Sequence, residues 1–284
     1  MKTILKRVLN NYLSRRYQTN LDALLSAAQV PKRKFELAKN LTLDIHPPQK
    51  ILIGTHHKTG TAWMMNIFRK VAYFHSLAYY QGKQDQLPAE FDIFLQDHSY
   101  FDFDTLPGPY RGVHLIRDPR DVIISGCFYH QKSEEYWLHL SRQDLGGMTY
   151  QEKINSYDNR EDQILFEMEH AGRRTIQEML AWDYHQAQFF EVKYEELIAD
   201  DNLSLFHDMF TFLGFPGESI PGLLEIAYHN SLFSGNLDKS LHIRSGKSKQ
   251  WEAFFSQKHK NRFLAMFDHA LIDLGYESDH SWAE

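Results

Sequence analysis

Residues 51–63, ILIGTHHKTGTAW, decide the fold of this chain. The first residues form a short apolar run, which predicts a buried strand of a parallel sheet. A loop that contains glycine, lysine and threonine follows, and residues 62–73 then carry apolar residues at helical spacing. Together they predict an anion cradle, in which backbone N–H groups, hydroxyls, the lysine and the helix dipole face a phosphate.

The order of strand and helix repeats along the chain. Further strands are predicted at residues 92–96, 112–116 and 190–194. Further helices are predicted over residues 119–130, 173–188, 203–213, 221–229 and 258–274, whereas the polar residues 131–172 receive no assignment. This alternation predicts a single α/β domain, residues 45–284, with a central, mostly parallel sheet flanked by helices. In such sheets, ligands bind at the carboxyl ends of the strands.

Composition excludes several classes of protein. The chain has 284 residues, of which 43% are apolar, and its single cysteine, Cys127, excludes an intramolecular disulfide framework. No apolar run approaches the length of a transmembrane helix, and the N-terminus lacks the apolar core of a signal peptide. We therefore expect a cytoplasmic location.

Charge is distributed unevenly. Residues 1–34 carry eight Lys/Arg and one acidic residue, Asp22, a net charge of +7, whereas the rest of the chain sums to −13. A region this acidic is a poor non-specific binder of nucleic acid. Residues 1–44 are predicted to be a basic amphipathic helical extension. The sequence favours a helix docked on the domain, and weak contact of residues 1–34 with an anionic membrane surface stays open. The oligomeric state is not readable.

The loop is not a Walker A motif. That motif places a glycine directly before its lysine, whereas here Lys58 comes two residues before Gly60. A magnesium-dependent kinase or ATPase is therefore disfavoured.

A second motif lies about 60 residues later. Arg117 ends a predicted strand, Asp118 and Pro119 suit a helix start, and Ser125 comes eight residues after the arginine. An arginine at a strand end and a serine in the first turns of the next helix can converge on one phosphate, with the bidentate guanidinium supplying the strength.

Both motifs resemble those of the sulfotransferases that use 3′-phosphoadenosine 5′-phosphosulfate (PAPS). The first is similar to the family's phosphosulfate loop and comprises Lys58, Thr59, Gly60, Thr61, Ala62 and Trp63. The resemblance implies that Lys58 contacts the bridging oxygen of the donor and that Trp63 stacks on adenine, although simple core packing of Trp63 stays open. It also implies that Arg117 and Ser125 bind the 3′-phosphate.

Two further stretches resemble the family. Tyr194, with two glutamates after it, matches an element whose tyrosine lies near the adenine. Arg244 and Gly246, with Trp251 beyond them, resemble a C-terminal element that closes over the 3′-phosphate. Here Ser245 replaces the usual lysine, which leaves the role of this position open.

The family often has a histidine base after the strand that follows the phosphosulfate helix, and His98 stands there. A neutral imidazole suits general-base chemistry near pH 7. Asp97 and the pair His56-His57 remain alternatives. That pair replaces residues usual in the family, for a reason that the sequence does not reveal. No metal site is expected, because adjacent histidines project apart and no carboxylate sits at ligand spacing.

The sequence thus predicts a PAPS-dependent sulfotransferase with Lys58 and His98 as catalytic residues. It transfers a sulfuryl group to a hydroxyl or amine of a small molecule, lipid or glycan. The alternatives are a nucleotide or nucleoside kinase on a related sheet and a catalytically silent nucleotide-binding scaffold.

Overall fold

The computed structural model describes residues 47–231 and 246–284. Within them lies a five-stranded sheet in the order β2–β3–β1–β4–β5, with all neighbouring strands parallel. The strands are β1 Lys50–Gly54, β2 Tyr79–Gln81, β3 Ile93–Gln96, β4 Tyr110–Ile116 and β5 Phe189–Lys193. The predicted α/β fold around a parallel sheet is confirmed.

Helices connect and cover these strands. Before β5 they are α1 Thr61–Phe74, α2 Pro119–His130, α3 Tyr150–Asn155, α4 Arg160–Glu169 and α5 Ala171–Ala181. After β5 they are α6 Tyr194–Ala199, α7 Ser204–Phe212, α8 Ile220–His229, α9 Gln257–Phe267 and α10 Ala270–Asp273. α2 begins as predicted, with Pro119 in its first turn and the Asp118 side chain accepting the Arg120 N–H at 2.9 Å.

The apolar run of β1 is buried because both faces of the sheet are covered. Ile51 and Ile53 belong to a core shared with Phe68 of α1 and Phe210 of α7. Leu52, between them in sequence, faces the opposite side, because successive side chains of a strand alternate. Each fully buried side chain of this size stabilises the fold by roughly 1.5–3 kcal/mol. A further cluster joins α2, α4, α5 and α9.

Two helices form in the polar region that the sequence left unassigned. Thr149 caps α3 in a capping box with Glu152, and the Asn159 side chain caps α4. The capping motif is visible in the sequence, but the apolar positions of these short helices are too few to show a clear period.

Two predicted helices are longer than the observed ones. The helix predicted over residues 173–188 ends at Ala181, because Trp182 adopts an extended conformation and its ring stacks on His114 with centroids 4.1 Å apart. The helix predicted over residues 258–274 is interrupted at Asp268, which has a φ of 36°. In both cases the apolar spacing continues past the break, so periodicity alone does not reveal the end.

The ends of the chain complete this description. Residues 276–284 pack near α2, where the Arg120 guanidinium pairs with Glu277 at 2.6 Å and lies 4.9 Å from the Trp282 ring. The predicted extension, residues 1–44, lies outside the described residues. No helix in the described ranges is long and apolar enough to cross a bilayer.

Gly112 on β4 tests the packing of the sheet. A Cβ atom there would lie 2.2 Å from the Phe189 ring, so we expect Gly112→Ala to lower the free energy of unfolding by about 1–3 kcal/mol. Gly217→Ala is the matched control, because a Cβ atom there meets nothing within 4 Å. Urea unfolding measures both variants, and equal stability of the two would contradict this packing.

Candidate active site

Four adjacent strands deliver the predicted site residues to one edge of the sheet. β1 leads into the loop that contains Lys58, β3 into His98, β4 into Arg117 and β5 into Tyr194. The last residues of β1 and β3 are register partners, as are those of β4 and β5. All four segments therefore begin at a similar level, at the carboxyl end of the sheet, where ligands bind in open α/β folds.

The loop between β1 and α1 is wound around one carbonyl group. The His56 carbonyl accepts hydrogen bonds from the Thr59 amide at 3.2 Å, the Thr59 hydroxyl at 2.9 Å and the Thr61 hydroxyl at 3.0 Å. The Thr61 hydroxyl also lies 2.8 Å from that of Thr55. This turn directs the start of α1 towards the carboxyl edge of the sheet, and with it the amides of Thr61 and Ala62, which precede the first amide bonded to Gly60.

Gly60 is required at the start of α1. Its φ of 124° is disfavoured for other residues, and a Cβ atom would lie 3.0 Å from Leu115 and 3.3 Å from the Tyr194 ring. The loop therefore lies directly against β4 and the end of β5. Ala62, in the first turn that follows, is half-buried.

Lys58 lies against an aromatic ring. Its Nζ atom is 3.4 Å from the centroid of Tyr129, whose hydroxyl donates to Glu135 at 2.9 Å. Burial lowers the pKa of Lys58 to about 8, with Glu135 raising it and Arg117 lowering it further. The lysine is still mostly protonated at pH 7, and its ammonium is less solvated than one on the surface.

Arg117 joins the loop to α2 and to the segment after residue 246. Its guanidinium donates to the Lys58 carbonyl at 3.2 Å, pairs with Asp121 at 3.4 Å and donates to the Lys247 carbonyl at 3.4 Å. Its Nε atom is buried and has no hydrogen-bond partner within the described residues. The guanidinium also lies 4.4 Å from the centroid of the Tyr194 ring.

The other predicted binding residues surround this group. Ser125 is half-buried on α2, one turn beyond Asp121 and therefore on the same face. Gly246 has a φ of 63° and directly precedes Lys247, which contacts Arg117. Arg244 lies outside the described residues.

Trp63 packs in the domain. Its ring meets Tyr194 and Phe206 edge-on, with centroids 6.0 and 5.8 Å apart. Its Nε1 atom is buried and has no acceptor among the described residues. Core packing of Trp63 is therefore observed, while its predicted contact with adenine stays a prediction.

His98 is held by a carboxylate that the sequence did not reveal. Its Nδ1 atom lies 2.8 Å from Oε2 of Glu178 on α5. Burial alone would lower the pKa of His98, but the hydrogen bond and charge of Glu178 outweigh this and raise it. Asp97, the neighbouring alternative, is exposed. Glu178 is 80 residues away in the chain, so no local motif could have identified it.

The pair His56-His57 is anchored in two directions. His56 Nε2 lies 2.8 Å from His114 Nε2, and His57 Nε2 lies 2.8 Å from His130 Nε2. Each second histidine is in turn bound through Nδ1, by Glu191 at 2.6 Å and by Glu167 at 2.8 Å. Burial lowers the pKa of both His56 and His57, so both are neutral at pH 7. The two histidines thus fasten the loop to β4 and to α2.

Among the described residues, one group has the geometry of metal ligands. It comprises Asp268, His269 and His280, near the end of α9, and shares no residue with the predicted site.

Three solved structures are similar to this chain. The mouse sulfotransferase SULT7A1, complexed with adenosine 3′,5′-bisphosphate (PAP), matches over 81% of this chain and 87% of its own, with 14% identity and a TM-score of 0.54. Retinol dehydratase matches in a complex with androsterone and PAP (TM-score 0.46) and in a complex with retinol and PAP (TM-score 0.47). Each of these two has 16% identity and covers 82% of this chain and 85% of its own. A search of the curated proteins found no significant match.

The family comparison is more specific. The model of the sulfotransferase domain matches residues 108–275, more than half of the chain. The matched range contains Arg117, Ser125 and Tyr194, whereas Lys58 and His98 precede it. This match, on the parallel sheet described above, shows that the chain belongs to the sulfotransferase domain family.

Proposed function

We propose that this protein transfers the sulfuryl group of PAPS to a hydroxyl or amine of an acceptor, with Lys58 and His98 as the catalytic residues. The observation that carries the proposal is the convergence of the Lys58 loop, Arg117 and His98 at the carboxyl ends of adjacent strands. A phosphosulfate bound at the loop would have a cation on one side and an imidazole at the neighbouring strand.

The binding of PAPS is supported by groups of the site that can donate hydrogen bonds. The amides of Thr61 and Ala62 at the start of α1 and the Lys58 ammonium suit the 5′-phosphosulfate. Arg117 suits the 3′-phosphate, because its Nε atom is unpaired among the described residues and its contact with Asp121 is long, at 3.4 Å. Ser125 on the same face of α2 adds a hydroxyl. Tyr194 and Trp63 adjoin this region and suit the adenine.

Lys58 suits the leaving group. As the S–O bond to the bridging oxygen breaks, negative charge develops on that oxygen, and an ammonium held in a site with little water stabilises it strongly. The Tyr129 ring, 3.4 Å from Nζ, holds the ammonium without neutralising it, since a ring face carries no net charge.

His98 suits the base. The acceptor oxygen or nitrogen forms its bond to sulfur while its proton passes to Nε2 of His98, and the electron pair of the broken S–O bond leaves with PAP. Asp97 is exposed, His56 is fully buried and bound by His114, and His57 is bound by His130, so these alternatives suit the role less well. The acceptor remains a small molecule, a lipid or a glycan.

Nucleotide binding tests the donor site. We expect PAP to bind more tightly than 5′-AMP by about 2 kcal/mol, and equally with or without Mg²⁺, because charge-assisted bonds to the 3′-phosphate add affinity. Calorimetry with PAP, 5′-AMP and ATP measures this. Equal binding of all three would contradict the donor site, and a requirement for Mg²⁺ and ATP would favour a kinase.

Two variants separate rate from affinity. We expect Lys58→Met, which keeps the stem of the side chain, to lower kcat about 100- to 1000-fold with little change in PAP affinity. Arg117→Gln should raise the KM for PAPS on the order of 10- to 100-fold, because it removes charged hydrogen bonds. Transfer of labelled sulfate from PAPS to 2-naphthol measures both, with Lys132→Met, at an exposed position, as the control. Loss of PAP binding in both variants would contradict this division.

The pH profile tests both catalytic residues. The base must be neutral and the lysine protonated, so kcat/KM for PAPS, which reports groups of the free enzyme, should rise through the raised pKa of His98 and fall near the Lys58 pKa of about 8. We therefore expect a bell-shaped pH profile. His98→Gln should remove its acidic limb, and an unchanged limb in that variant would show that another group is the base.

A further inference from the structure

We propose that Glu178 is a positioning residue that holds His98 in the tautomer whose Nε2 atom is free to accept the proton of the acceptor. The proposal rests on the proposed function, since it assigns a task to the partner of the proposed base. Glu178 lies on α5, outside both motifs that the sequence revealed.

The carboxylate of Glu178 is fixed at both oxygens. Oε2 lies 2.8 Å from Nδ1 of His98, while Oε1 accepts the Tyr100 hydroxyl at 2.6 Å and Nε of Arg174 at 2.7 Å. The side chain is only 4% exposed. Burial alone would raise the pKa of Glu178, but hydrogen bonds from neighbouring side chains, those of His98 and Tyr100 among them, outweigh this and hold it well below the ordinary value. Glu178 is therefore ionised at neutral pH.

An ionised carboxylate can only accept hydrogen bonds. The short contact with His98 therefore requires a hydrogen on Nδ1 of the imidazole. In a neutral imidazole the other nitrogen then carries the lone pair, so Nε2 is the atom that can take a proton. Without this partner, the two tautomers would compete, and one of them offers no base at Nε2.

His56, the other histidine beside Glu178, does not compete for the same oxygen. Its Nδ1 atom lies 3.8 Å from Oε2, too far for a hydrogen bond, and has no partner among the described residues. The hydrogen bonds that link His56 through His114 to Glu191 explain why Nδ1 has no partner. Ionised Glu191 accepts from Nδ1 of His114, so Nε2 of His114 must accept from Nε2 of His56, which leaves Nδ1 of His56 without a hydrogen.

These hydrogen bonds depend on whether Glu191 is ionised. Burial raises the pKa of Glu191 to about 7, although the Trp182 indole, which donates to the carboxylate at 2.8 Å, acts in the opposite direction. Above that pH Glu191 is ionised and His56 turns a lone pair towards Glu178. Of the two histidines beside Glu178, only His98 then donates a hydrogen bond to Oε2.

The charge of Glu178 also has a measurable consequence at His98. An anion beside an imidazole favours the imidazolium, so it raises the pKa of the base and stabilises the cation that proton transfer forms. The charged and titratable groups that face His98 are Glu178, Arg174, Asp97, Tyr100, His56 and His57. Of these, Glu178 is the one that forms a hydrogen bond with the ring.

An NMR titration tests the pairing without any acceptor. The NMR signal of the Cε1 proton of His98 is assigned by its absence in His98→Gln. This signal then gives the pKa of the His98 imidazole in the full chain and in Glu178→Gln. We expect a fall of about one pH unit or more in that variant, because the anion is lost. Glu169→Gln is the control, since that glutamate pairs with Arg262 and does not contact His98. An unchanged His98 pKa in a folded Glu178→Gln variant would overturn the proposal.

A second variant guards against misfolding. Tyr100→Phe keeps the ring that stacks on His98 but removes one hydrogen bond to Glu178. The carboxylate then becomes a stronger acceptor, so the His98 pKa should rise by a few tenths of a unit, opposite to the effect of Glu178→Gln. A fall in Tyr100→Phe would contradict the proposal even if Glu178→Gln failed to fold.

An activity measurement separates this inference from the proposed function. With PAPS and 2-naphthol, we expect Glu178→Gln to lower kcat about 10- to 100-fold with little change in KM, and to have no further effect once His98 is replaced by Gln. Full activity of His98→Gln would overturn the assignment of the base. Loss of activity in His98→Gln, together with an additional loss from Glu178→Gln in the double variant, would instead make Glu178 merely structural.

Discussion

The carbonyl oxygen of His56 accepts three hydrogen bonds, two from Thr59 and one from the Thr61 hydroxyl. These bonds close the loop after β1 into a tight turn and set the direction in which α1 leaves the sheet. The left-handed conformations of Lys58 and Gly60 follow from the same turn. Because Gly60 lies against Leu115 and Tyr194, the turn also fixes the distance between the loop and the residues after β4 and β5. The remaining contacts of the site build on this geometry.

The local parts of the fold could be predicted from the sequence. Strands β1, β3, β4 and β5 carry apolar runs bounded by turns, and α2 begins with the cap that Asp118 and Pro119 indicate. β2 could not be predicted, since it has only three residues and exists through its pairing with β3. The ends of α5 and α9 could not be predicted either. Tertiary contacts of Trp182 end α5, and the backbone conformation of Asp268 ends α9.

The predicted site residues that the structure describes do come together, but their supporting partners were invisible. His98 is predicted from the family resemblance, because it follows the strand after which the family often has a histidine, whereas Glu178 lies on an amphipathic helix without such a signal. The unexplained pair His56-His57 has a similar answer: its partners His114 and His130 are 58 and 73 residues away. Such pairings depend on how the sheet and α2 are stacked, and spacing along the chain carries no signal for them. In each pair the second histidine is backed by a carboxylate, which satisfies its buried Nδ1 atom.

The position of Trp182 has a consequence for how this chain can vary in length. Its ring rests on His114, and its indole is held by Glu191, so the end of α5 is fixed on the sheet. Glu178 lies one turn before that point, and an α-helix turns about 100° and rises about 1.5 Å per residue. Deleting one residue between them would rotate the carboxylate away from His98. The segment from Glu178 to Trp182 therefore tolerates no insertion or deletion, and Tyr184, which contacts His114 and Met179, extends this constraint, whereas residues 185–187 lie beyond these anchors and can change in number without disturbing the base.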